Sequence, residues 1–368
     1  MVKKGLENEF LQTGPSQFIN EEGVLDKSSQ YISQYGDRVL ISGGVRALRS
    51  LDNRLTESLD KQEISWRKHT FIGECSDSNI QKIFDKIKEF SAEVLIGVGG
   101  GKSLDAAKVA ADKAEIPIIT LPTIAATCAA MSALSVVYND KGEYEKDYYL
   151  PKCPDLVLIE PEIIAEAPVK YLRSGIIDAL AKWYEGRTAV QGIENPDIFS
   201  ISAVTLAEKL NDRMEQHVLK AVESAEKDKL GAALKEIINL NIYLTGVIQN
   251  VGQLTCRGAA AHAVSNGLSV IEASHDLLHG EKVAYGIIVQ LFLENLPETE
   301  IDETITFFEE IGLKPSLKNY NLPTDSEIIK KVANKACQDY VMGKMPFAVS
   351  PEMVVAAIDK AEEKMETV

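Results

Sequence analysis

Three of the five histidines in the sequence, His262, His275 and His279, fall within a stretch of eighteen residues. Neutral imidazole binds divalent zinc and iron, and on a helix His275 and His279 would share one face at a spacing of i,i+4. A single histidine is more often structural than a ligand, but three so close together in a histidine-poor chain favour a metal site. Such a site needs a carboxylate, and the residues alone leave three candidates open: Asp178, Glu185 and Glu272.

A second candidate site is the glycine-rich stretch IGVGGGKSLDAAK at residues 96–108. A Walker A loop would need glycine at Ile96, and the usual dinucleotide-binding motif would need glycine at Lys102, so neither motif fits. What remains is a strand end, three consecutive glycines at 99–101 and a helix that starts near Ser103. Bare backbone amides at the positive end of a helix bind anions, and a simple tight turn would need only one or two glycines. The stretch therefore predicts a phosphate-binding loop with Lys102 nearby.

Residues 122–135, PTIAATCAAMSALS, form a run of small side chains with Cys128 in the middle. Small residues suit a tightly packed core helix, and they equally suit a loop that lets a ligand approach the backbone. Composition alone leaves both interpretations open.

The elements that must position these residues alternate between strand and helix over the first part of the chain. β-Branched and apolar runs predict strands at 38–44, 68–74, 93–100, 116–122 and 155–161, helices at 77–90 and 105–114, and a hairpin over 132–150 around Asn139-Asp140-Lys141-Gly142. This alternation is typical of a parallel sheet covered on both faces, so residues 1–165 predict an α/β domain. Apolar residues then recur at helical spacing, so residues 166–368 predict an all-α domain, with a ligand cleft between the two.

The overall composition excludes several functional classes. The 368 residues carry a net charge of −16, which argues against nucleic acid or an anionic membrane as partner because both require a basic surface. The five cysteines are scattered without a CxxC pair, a pattern that indicates reduced thiols and neither a zinc ribbon nor a disulfide framework. The N-terminal residues MVKKGLENEF lack the apolar core of a signal peptide, and no apolar run approaches a membrane span. We therefore expect a cytoplasmic protein.

Four segments together resemble the iron-containing alcohol dehydrogenase superfamily, in particular its glycerol-dehydrogenase-like branch: GVGGGKSLDAAK, PTIAATCAAMSALSVVY, GIIDALAKWYEG and AAHAVSNG…HGEKVAYG. The resemblance implies a dehydroquinate synthase-like fold, with an N-terminal α/β dinucleotide-binding domain and an all-α C-terminal domain that binds metal and substrate. It also implies hydride transfer between NAD or NADP and a small hydroxy compound, with one divalent metal as Lewis acid. Family members are usually homo-oligomers, which we expect here.

The resemblance also assigns residues. The family's metal-binding aspartate and two histidines correspond to Asp178, His262 and His279, which leaves His275 as a neighbour and places Asp178 at the substrate pocket. Some members carry a further histidine one turn after the aspartate, and Lys182 stands there, which favours three ligands and zinc over iron. The implied cofactor-binding residues are Gly99, Gly100, Gly101, Lys102, Asp105, Thr123, Ser132, Leu134 and Tyr138.

Departures from the family pattern bear on specificity. Cys128 stands where glycerol dehydrogenases normally have an aspartate that contacts the polyol, and Ala126 stands where a serine near the cofactor is normal. Without that negative charge, glycerol recognition weakens and a substrate carboxylate is no longer repelled. At the end of the second strand, Gly43 or Gly44 replaces the aspartate that usually holds the NAD ribose, so NADP is tolerated.

The segments around Cys128 are most similar to the hydroxycarboxylate dehydrogenase branch, so we expect NAD(P)-linked reduction of a 2-oxo acid, with glycerol or 1,2-diol dehydrogenase as the alternative. Two other classes fit less well. A lyase like dehydroquinate synthase would need a basic motif beyond the Lys182 and Arg187 that follow Asp178. A non-catalytic binding protein would not need the complete ligand set.

Overall fold

The computed structural model describes residues 12–140, 142–253 and 255–367. The chain divides into two compact units. The first comprises the residues up to Pro168 together with Ser224–Asn250, and the second comprises Val169–Glu223 and Val251–Val368.

A six-stranded sheet forms the centre of the first unit. Its strands are β1 (Gln17–Asn20), β2 (Arg38–Gly44), β3 (Ser65–Phe71), β4 (Val94–Gly99), β5 (Ile118–Pro122) and β8 (Leu156–Ile159), and a separate antiparallel hairpin pairs β6 (Leu134–Tyr138) with β7 (Tyr144–Tyr149). The sheet order is β1-β8-β5-β4-β2-β3, and all its pairings are parallel. Five of these strands and the hairpin were predicted, whereas β1 was not. Lys141 of the predicted turn lies outside the described residues.

Helices cover both faces of this sheet. They are α1 (Ser29–Ile32), α2 (Val45–Ser50), α3 (Arg54–Asp60), α4 (Asp77–Phe90), α5 (Gly101–Ala114) and α6 (Pro161–Ala165), with a 3-10 turn at Val24–Lys27. Within β2, Val39 and Ile41 join one apolar cluster, and Leu40 joins another. Both faces of the strand are therefore buried, which is why the sequence reads as a continuous apolar run.

Because the strands are parallel, their carboxyl ends meet at one edge of the sheet. Gly43 is in register with Val98, and Gly99 is in register with Pro122. This edge therefore carries the end of β2, the glycine loop after β4 and the start of the 122–135 segment.

Ser224–Asn250 belongs to the first unit, whereas the sequence-based boundary at 165/166 placed it in the all-α domain. It contains α9 (Ala232–Asn239), a π-helical segment (Leu240–Leu244) and most of α10 (Thr245–Gly252). Asn239 accepts a hydrogen bond from Asn20 at 2.9 Å, and Asn241 donates one to the carbonyl oxygen of Ala125 at 2.9 Å. Such long-range bonds leave no trace in the local helical pattern, so the boundary prediction did not include them.

The described residues of the second unit form helices joined by loops, with no strand, as the spacing of its apolar residues predicted. Its helices are α7 (Val169–Gln191), α8 (Ile198–Glu226), α11 (Ala260–Gly267), α12 (His279–Leu293), α13 (Glu298–Glu310), α14 (Ser326–Gln338) and α15 (Pro351–Thr367), with 3-10 helices at Leu268–Val270, Glu272–Asp276 and Tyr340–Lys344. None of the described helices combines the length and the apolar character that a membrane span requires. The predicted fold class, a parallel α/β region followed by a helical one, is confirmed.

Candidate metal and cofactor sites

Three helices of the second unit each supply one side chain to a compact group. Asp178 lies near the middle of α7, His262 lies on α11, and His279 is the first residue of α12. One ligand atom from each residue lies within 4.8 Å of the other two. The side chain of Asp178 is 8% exposed, whereas that of His279 is 41% exposed, so the group is closed on one side and open on the other.

Two glycines of α12 allow the three helices to approach closely. A Cβ atom on Gly280 would lie 2.1 Å from the carbonyl oxygen of Ser174 on α7, and one on Gly286 would lie 2.1 Å from that of Ala261 on α11. The Ser174 hydroxyl also accepts a hydrogen bond from the Gly280 N–H at 2.9 Å. Because Ser174 is one turn before Asp178 and Ala261 directly precedes His262, these contacts place the three ligand side chains together.

The distances within the group fit a bound metal. Oδ1 of Asp178 lies 3.3 Å from Nε2 of His279 and 3.6 Å from Nε2 of His262. Hydrogen bonds between charged partners are shorter, about 2.7–2.9 Å. Ligand atoms about 2.1 Å from a tetrahedral zinc ion are about 3.4 Å apart. The spacing and the donor set of one oxygen and two nitrogens therefore suit a divalent metal with three protein ligands.

Electrostatics keep Asp178 ionised. Burial alone would raise its pKa, but the neighbouring imidazoles of His262 and His279 and the nearby charge of Lys182 outweigh burial and hold the pKa well below its usual value. An ionised carboxylate is the form that binds a metal.

Glu185, one of the carboxylates that the sequence left open, supports His262 and does not join the group. Its Oε2 lies 2.5 Å from Nδ1 of His262, and its Oε1 accepts from the backbone N–H groups of Ala259 at 2.6 Å and His262 at 2.8 Å. Burial opposes protonation of His262, but Glu185 and Asp178 outweigh it and raise the pKa of this imidazole to about 9. Because Nδ1 faces Glu185, Nε2 is the atom left for a metal.

Lys182 lies one turn after Asp178 and is buried, with 3% of its surface exposed. Its ammonium group donates to the carbonyl oxygen of Arg257 at 3.2 Å. Lys182 and Glu185 therefore both hold the segment that leads into α11. A protonated amine does not bind a metal cation, so this position adds a charge to the site and not a fourth ligand.

The structure does not bring His275 or Glu272 into the group. Both lie exposed on the 3-10 helix Glu272–Asp276, and Nε2 of His275 lies 3.2 Å from the carbonyl oxygen of Ser269. His275 and His279 would share one face only if both lay on the same helix. They do not, because α12 begins only at His279.

The glycine loop connects β4 to α5, which begins at Gly101, two residues earlier than the sequence indicated. Gly99 has a φ of +128°, and a Cβ atom there would lie 2.6 Å from Oγ of Ser103, so only glycine fits. Gly100 is the N-cap of α5, and no side chain caps that end. The first N–H groups of this 14-residue helix are therefore available to an anion, which suits the expected phosphate.

Lys102 follows these glycines with an exposed side chain. Its Nζ lies 2.5 Å from Oε1 of Glu74, which precedes α4. A phosphate at the loop would compete with Glu74 for this ammonium group.

Lys108 is a buried charged residue of this region that the sequence patterns did not single out. It is fully buried, and its Nζ lies 2.9 Å from Oδ1 of Asp105. Asp105 accepts from the N–H of Val136 at 3.2 Å, while Lys108 donates to the Ser132 carbonyl oxygen at 3.2 Å and also to that of Leu134. The pair thus ties α5 to residues 132–136, and Asp105 positions that segment. The only sequence signal was a lysine among the small apolar residues of AAKVAA, three places after an aspartate.

Of the other expected cofactor residues, the structure places only Thr123 in direct contact with the glycine loop. The N–H of Thr123 donates to the carbonyl oxygen of Gly99 at 3.1 Å, so this residue adjoins the loop directly. Leu134 and Tyr138 are the end residues of β6, and the N–H of Tyr138 donates to the carbonyl oxygen of Cys75 at 2.8 Å. Ser132, which Lys108 holds, precedes that strand.

The 122–135 segment forms a loop between β5 and β6 and not a core helix. A Cβ atom on Gly101 would lie 3.5 Å from Oγ1 of Thr127, so this loop lies against the glycine loop. Cys128 is buried, and its Sγ donates to Oε1 of Gln249 at 3.5 Å. The small residues therefore permit two backbone segments to approach each other at the candidate cofactor site.

The chain is similar to known dehydrogenases over nearly its whole length. The sequence model of the iron-containing alcohol dehydrogenase family matches residues 15–161. A glycerol dehydrogenase from Thermotoga maritima is 36% identical over 355 residues, which cover 95% of this chain and 95% of that protein. Hydroxycarboxylate dehydrogenase A from Escherichia coli is 31% identical over 354 residues, covering 95% and 96%. The crystal structure of a probable glycerol dehydrogenase from Sinorhizobium meliloti matches with a TM-score of 0.87 at 31% identity, covering 96% of this chain and 98% of that one.

Proposed function

The chain belongs to the iron-containing alcohol dehydrogenase family, and we propose that it oxidises glycerol or a related 1,2-diol with NAD⁺ or NADP⁺. At the coarser level it is a metal-dependent, NAD(P)-linked oxidoreductase that acts on a CH–OH group. The observation that carries the proposal is the group of Asp178, His262 and His279, whose spacing and donor atoms fit a divalent metal.

The chain's own residues prepare this reaction. Asp178, His262 and His279 would hold the metal, and Glu185 orients His262. The glycine loop and Lys102 would hold the cofactor phosphates at the positive end of α5. When bound, the metal supplies Lewis acidity that lowers the pKa of a substrate hydroxyl, and the nicotinamide accepts the hydride. The partly open side of the ligand group, at His279, leaves room for a small substrate.

The choice of a diol is supported by the relatives. Identity to the glycerol dehydrogenase of Thermotoga maritima, at 36%, exceeds the 31% identity to the hydroxycarboxylate dehydrogenase. The structural match to a probable glycerol dehydrogenase points the same way. These comparisons favour glycerol over the 2-oxo acid that the sequence analysis preferred.

A 2-oxo acid remains a second candidate substrate because of two side chains. Cys128 carries no negative charge at a position where an aspartate would repel a carboxylate. Lys182 adds a buried cation one turn from the ligand Asp178. Both features favour a substrate with a carboxylate.

We propose zinc as the metal. A site of one carboxylate and two imidazoles suits zinc, and the ligand distances of 3.3 and 3.6 Å agree with tetrahedral coordination. Metal analysis of the purified protein, together with reconstitution by Zn²⁺ or Fe²⁺, tests this choice. Higher turnover with iron than with zinc would overturn it.

We also propose that the protein is a homo-oligomer. Three apolar side chains are exposed near the start of α8, where a second copy would bury them: Ile198, Phe199 and Ile201. Light scattering coupled to size-exclusion chromatography measures the mass directly, and a monomer at micromolar concentration would contradict this proposal.

A substrate panel tests the proposed reaction. Zinc-loaded protein is assayed with NAD⁺ and NADP⁺ against glycerol and 1,2-propanediol, and with NADH and NADPH against 2-oxobutanoate and 2-oxoglutarate. We expect the highest kcat/KM for a diol. Reduction of a 2-oxo acid without oxidation of either diol would replace the proposal by the second candidate, and no turnover of any substrate would refute both.

A further inference from the structure

We infer that the π-helical segment Leu240–Leu244 positions the 122–135 loop for cofactor binding, and that Asn241 is the residue through which it acts. The inference rests on the proposed use of a nicotinamide cofactor. It goes beyond that proposal by assigning a positioning role to a residue 116 positions along the chain from Ala125, the residue that it holds.

The stretch of the loop around Ala125 lies directly on the glycine loop. The N–H of Thr123 donates to the carbonyl oxygen of Gly99 at 3.1 Å. A Cβ atom on Gly100 would lie 2.7 Å from Cδ1 of Ile124, so the next residue of the loop packs on the next glycine. A displacement of this stretch would therefore change the backbone surface that the glycines offer to a phosphate.

A buried asparagine holds this stretch in place. Asn241 is 1% exposed, and its Nδ2 donates to the carbonyl oxygen of Ala125 at 2.9 Å. Its Oδ1 is buried and has no hydrogen-bond partner among the described residues. A buried unpaired oxygen lowers stability, so stability alone gives no reason for an asparagine at this position. Holding the backbone of the loop does give one.

The helix that follows, α10, contacts the same loop through one of its faces. A Cβ atom on Gly246 would lie 2.2 Å from Cγ of Met131, so only glycine leaves room for that side chain. Oδ1 of Asn250 accepts a hydrogen bond from the N–H of Ala133 at 3.3 Å. Gly246 and Asn250 are four residues apart and therefore share the face of α10 that meets the loop.

The π-helical turn brings Asn241 onto this face. Asn241 is five residues before Gly246, and in an α-helix residues five apart point about 140° away from each other. In a π-helix the hydrogen bonds join residues five apart, so such residues lie one above the other. Oγ1 of Thr245 donates to the carbonyl oxygen of Leu240 at 2.8 Å, which helps to satisfy the widened turn. The turn thus lets Asn241 and Gly246 contact the loop together.

A binding experiment on the zinc-loaded full chain tests the inference. Dissociation constants of NADH and NADPH are measured by nicotinamide fluorescence, which needs no substrate or turnover. Asn241→Leu removes the donor to Ala125 and also removes the unpaired oxygen. We expect it to weaken binding of the preferred cofactor about tenfold, while the midpoint of urea unfolding and the affinity for Zn²⁺ stay close to those of the unaltered protein. A merely structural role would instead lower the midpoint and leave the cofactor affinity of the folded protein unchanged.

Tyr35→Phe is the matched control. The Tyr35 hydroxyl also donates to a backbone carbonyl oxygen of the first unit, that of Asp155 at 3.2 Å. Asp155 directly precedes β8, so this bond lies at the edge of the sheet opposite the glycine loop. We expect less than a twofold change in cofactor affinity. Equal losses of affinity in Tyr35→Phe and Asn241→Leu would overturn the inference.

Hydrogen exchange on the unaltered protein gives a second test, which does not depend on the folding of a variant. Because the loop and the π-helical turn are held together, a cofactor bound at the glycine loop should slow amide exchange in residues 239–246. Residues 29–35, which carry the control tyrosine, should exchange equally with and without cofactor. Absence of any slowing in 239–246 at saturating cofactor would contradict the inference.

The outcomes also separate this inference from the proposed function. If the unaltered protein binds a cofactor and Asn241→Leu binds it equally well, the positioning role fails and the dehydrogenase stands. If the unaltered protein binds neither NADH nor NADPH, the proposed function fails, and this inference fails with it.

Discussion

Oε2 of Glu185 lies 2.5 Å from Nδ1 of His262, and this contact determines which nitrogen of the imidazole faces Asp178. The other oxygen of Glu185 accepts two backbone N–H groups at the start of α11, so the carboxylate fixes both the helix and the side chain. A carboxylate that orients a ligand histidine is part of the metal site even though it does not touch the metal.

Replacing Glu185 should therefore weaken metal binding without removing a ligand. We expect Glu185→Gln to raise the dissociation constant for Zn²⁺ by about 10–100-fold, measured by competition with a chelator. Glu160→Gln is the control, because Glu160 is a buried carboxylate of the first unit that accepts from the Gly23 N–H and from Arg54. Equal affinity losses in both variants would show that a general loss of stability is responsible.

Zinc binding should also require the close approach of α12 to α7. In Gly280→Ala the new methyl group would lie 2.1 Å from the carbonyl oxygen of Ser174, so α12 must shift and move His279. We expect a loss of about 1–3 kcal/mol in the free energy of unfolding, together with weaker Zn²⁺ binding. Gly343→Ala should change neither quantity appreciably, since nothing lies within 4 Å of its Cβ position. Normal zinc affinity in Gly280→Ala would contradict the packing argument.

The buried pair of Asp105 and Lys108 gives a prediction for the first unit. Lys108→Met leaves the Asp105 carboxylate buried without its cation, and we expect a loss of about 3–5 kcal/mol in the free energy of unfolding. Cofactor binding should weaken as well, because residues 132–134 lose their anchor. The double variant with Asp105→Asn should recover part of the stability. A urea titration measures the free energy of unfolding of the unaltered protein and of both variants. A double variant no more stable than Lys108→Met would refute the pairing.

We expect Cys128 to influence the choice between the two candidate substrates. Cys128→Asp introduces a hydroxyl acceptor and a negative charge, so the ratio of kcat/KM for glycerol to that for 2-oxobutanoate should rise more than about tenfold. Cys128→Ser keeps the size and neutrality of the side chain and should leave the ratio within a few-fold of the original. An unchanged ratio in Cys128→Asp would show that this residue does not border the substrate.

Local sequence patterns predicted the first and last residues of some elements correctly. Strand β2 was expected at 38–44 and spans Arg38–Gly44, and α4 was expected at 77–90 and spans Asp77–Phe90. In both cases the signal is local: continuous apolar residues in β2, and in α4 a Ser76 N-cap that accepts from the Asn79 N–H. Strand β1 was missed because its four residues, QFIN, show no clear alternation, and its place depends on pairing with β8.

The candidate site depended more strongly on contacts between distant residues. The histidine cluster indicated a metal, but the distinction between Asp178 and Glu185 requires knowing which nitrogen of His262 each faces. The glycines of HGEKVAYG were visible in the sequence, but their packing against Ser174 and Ala261 was not. The pairing of Lys108 with the 132–136 segment likewise joins residues that local patterns cannot connect.

Alcohol oxidation should depend on a metal that Asp178, His262 and His279 hold. The most direct measurement is the rate of glycerol oxidation with a saturating concentration of the preferred cofactor during a titration of chelator-treated protein with Zn²⁺. We predict almost no activity before zinc is added and a rise that saturates at one ion per chain, with His262→Ala inactive throughout. Full activity in the chelator-treated protein, or in His262→Ala, would contradict the claim.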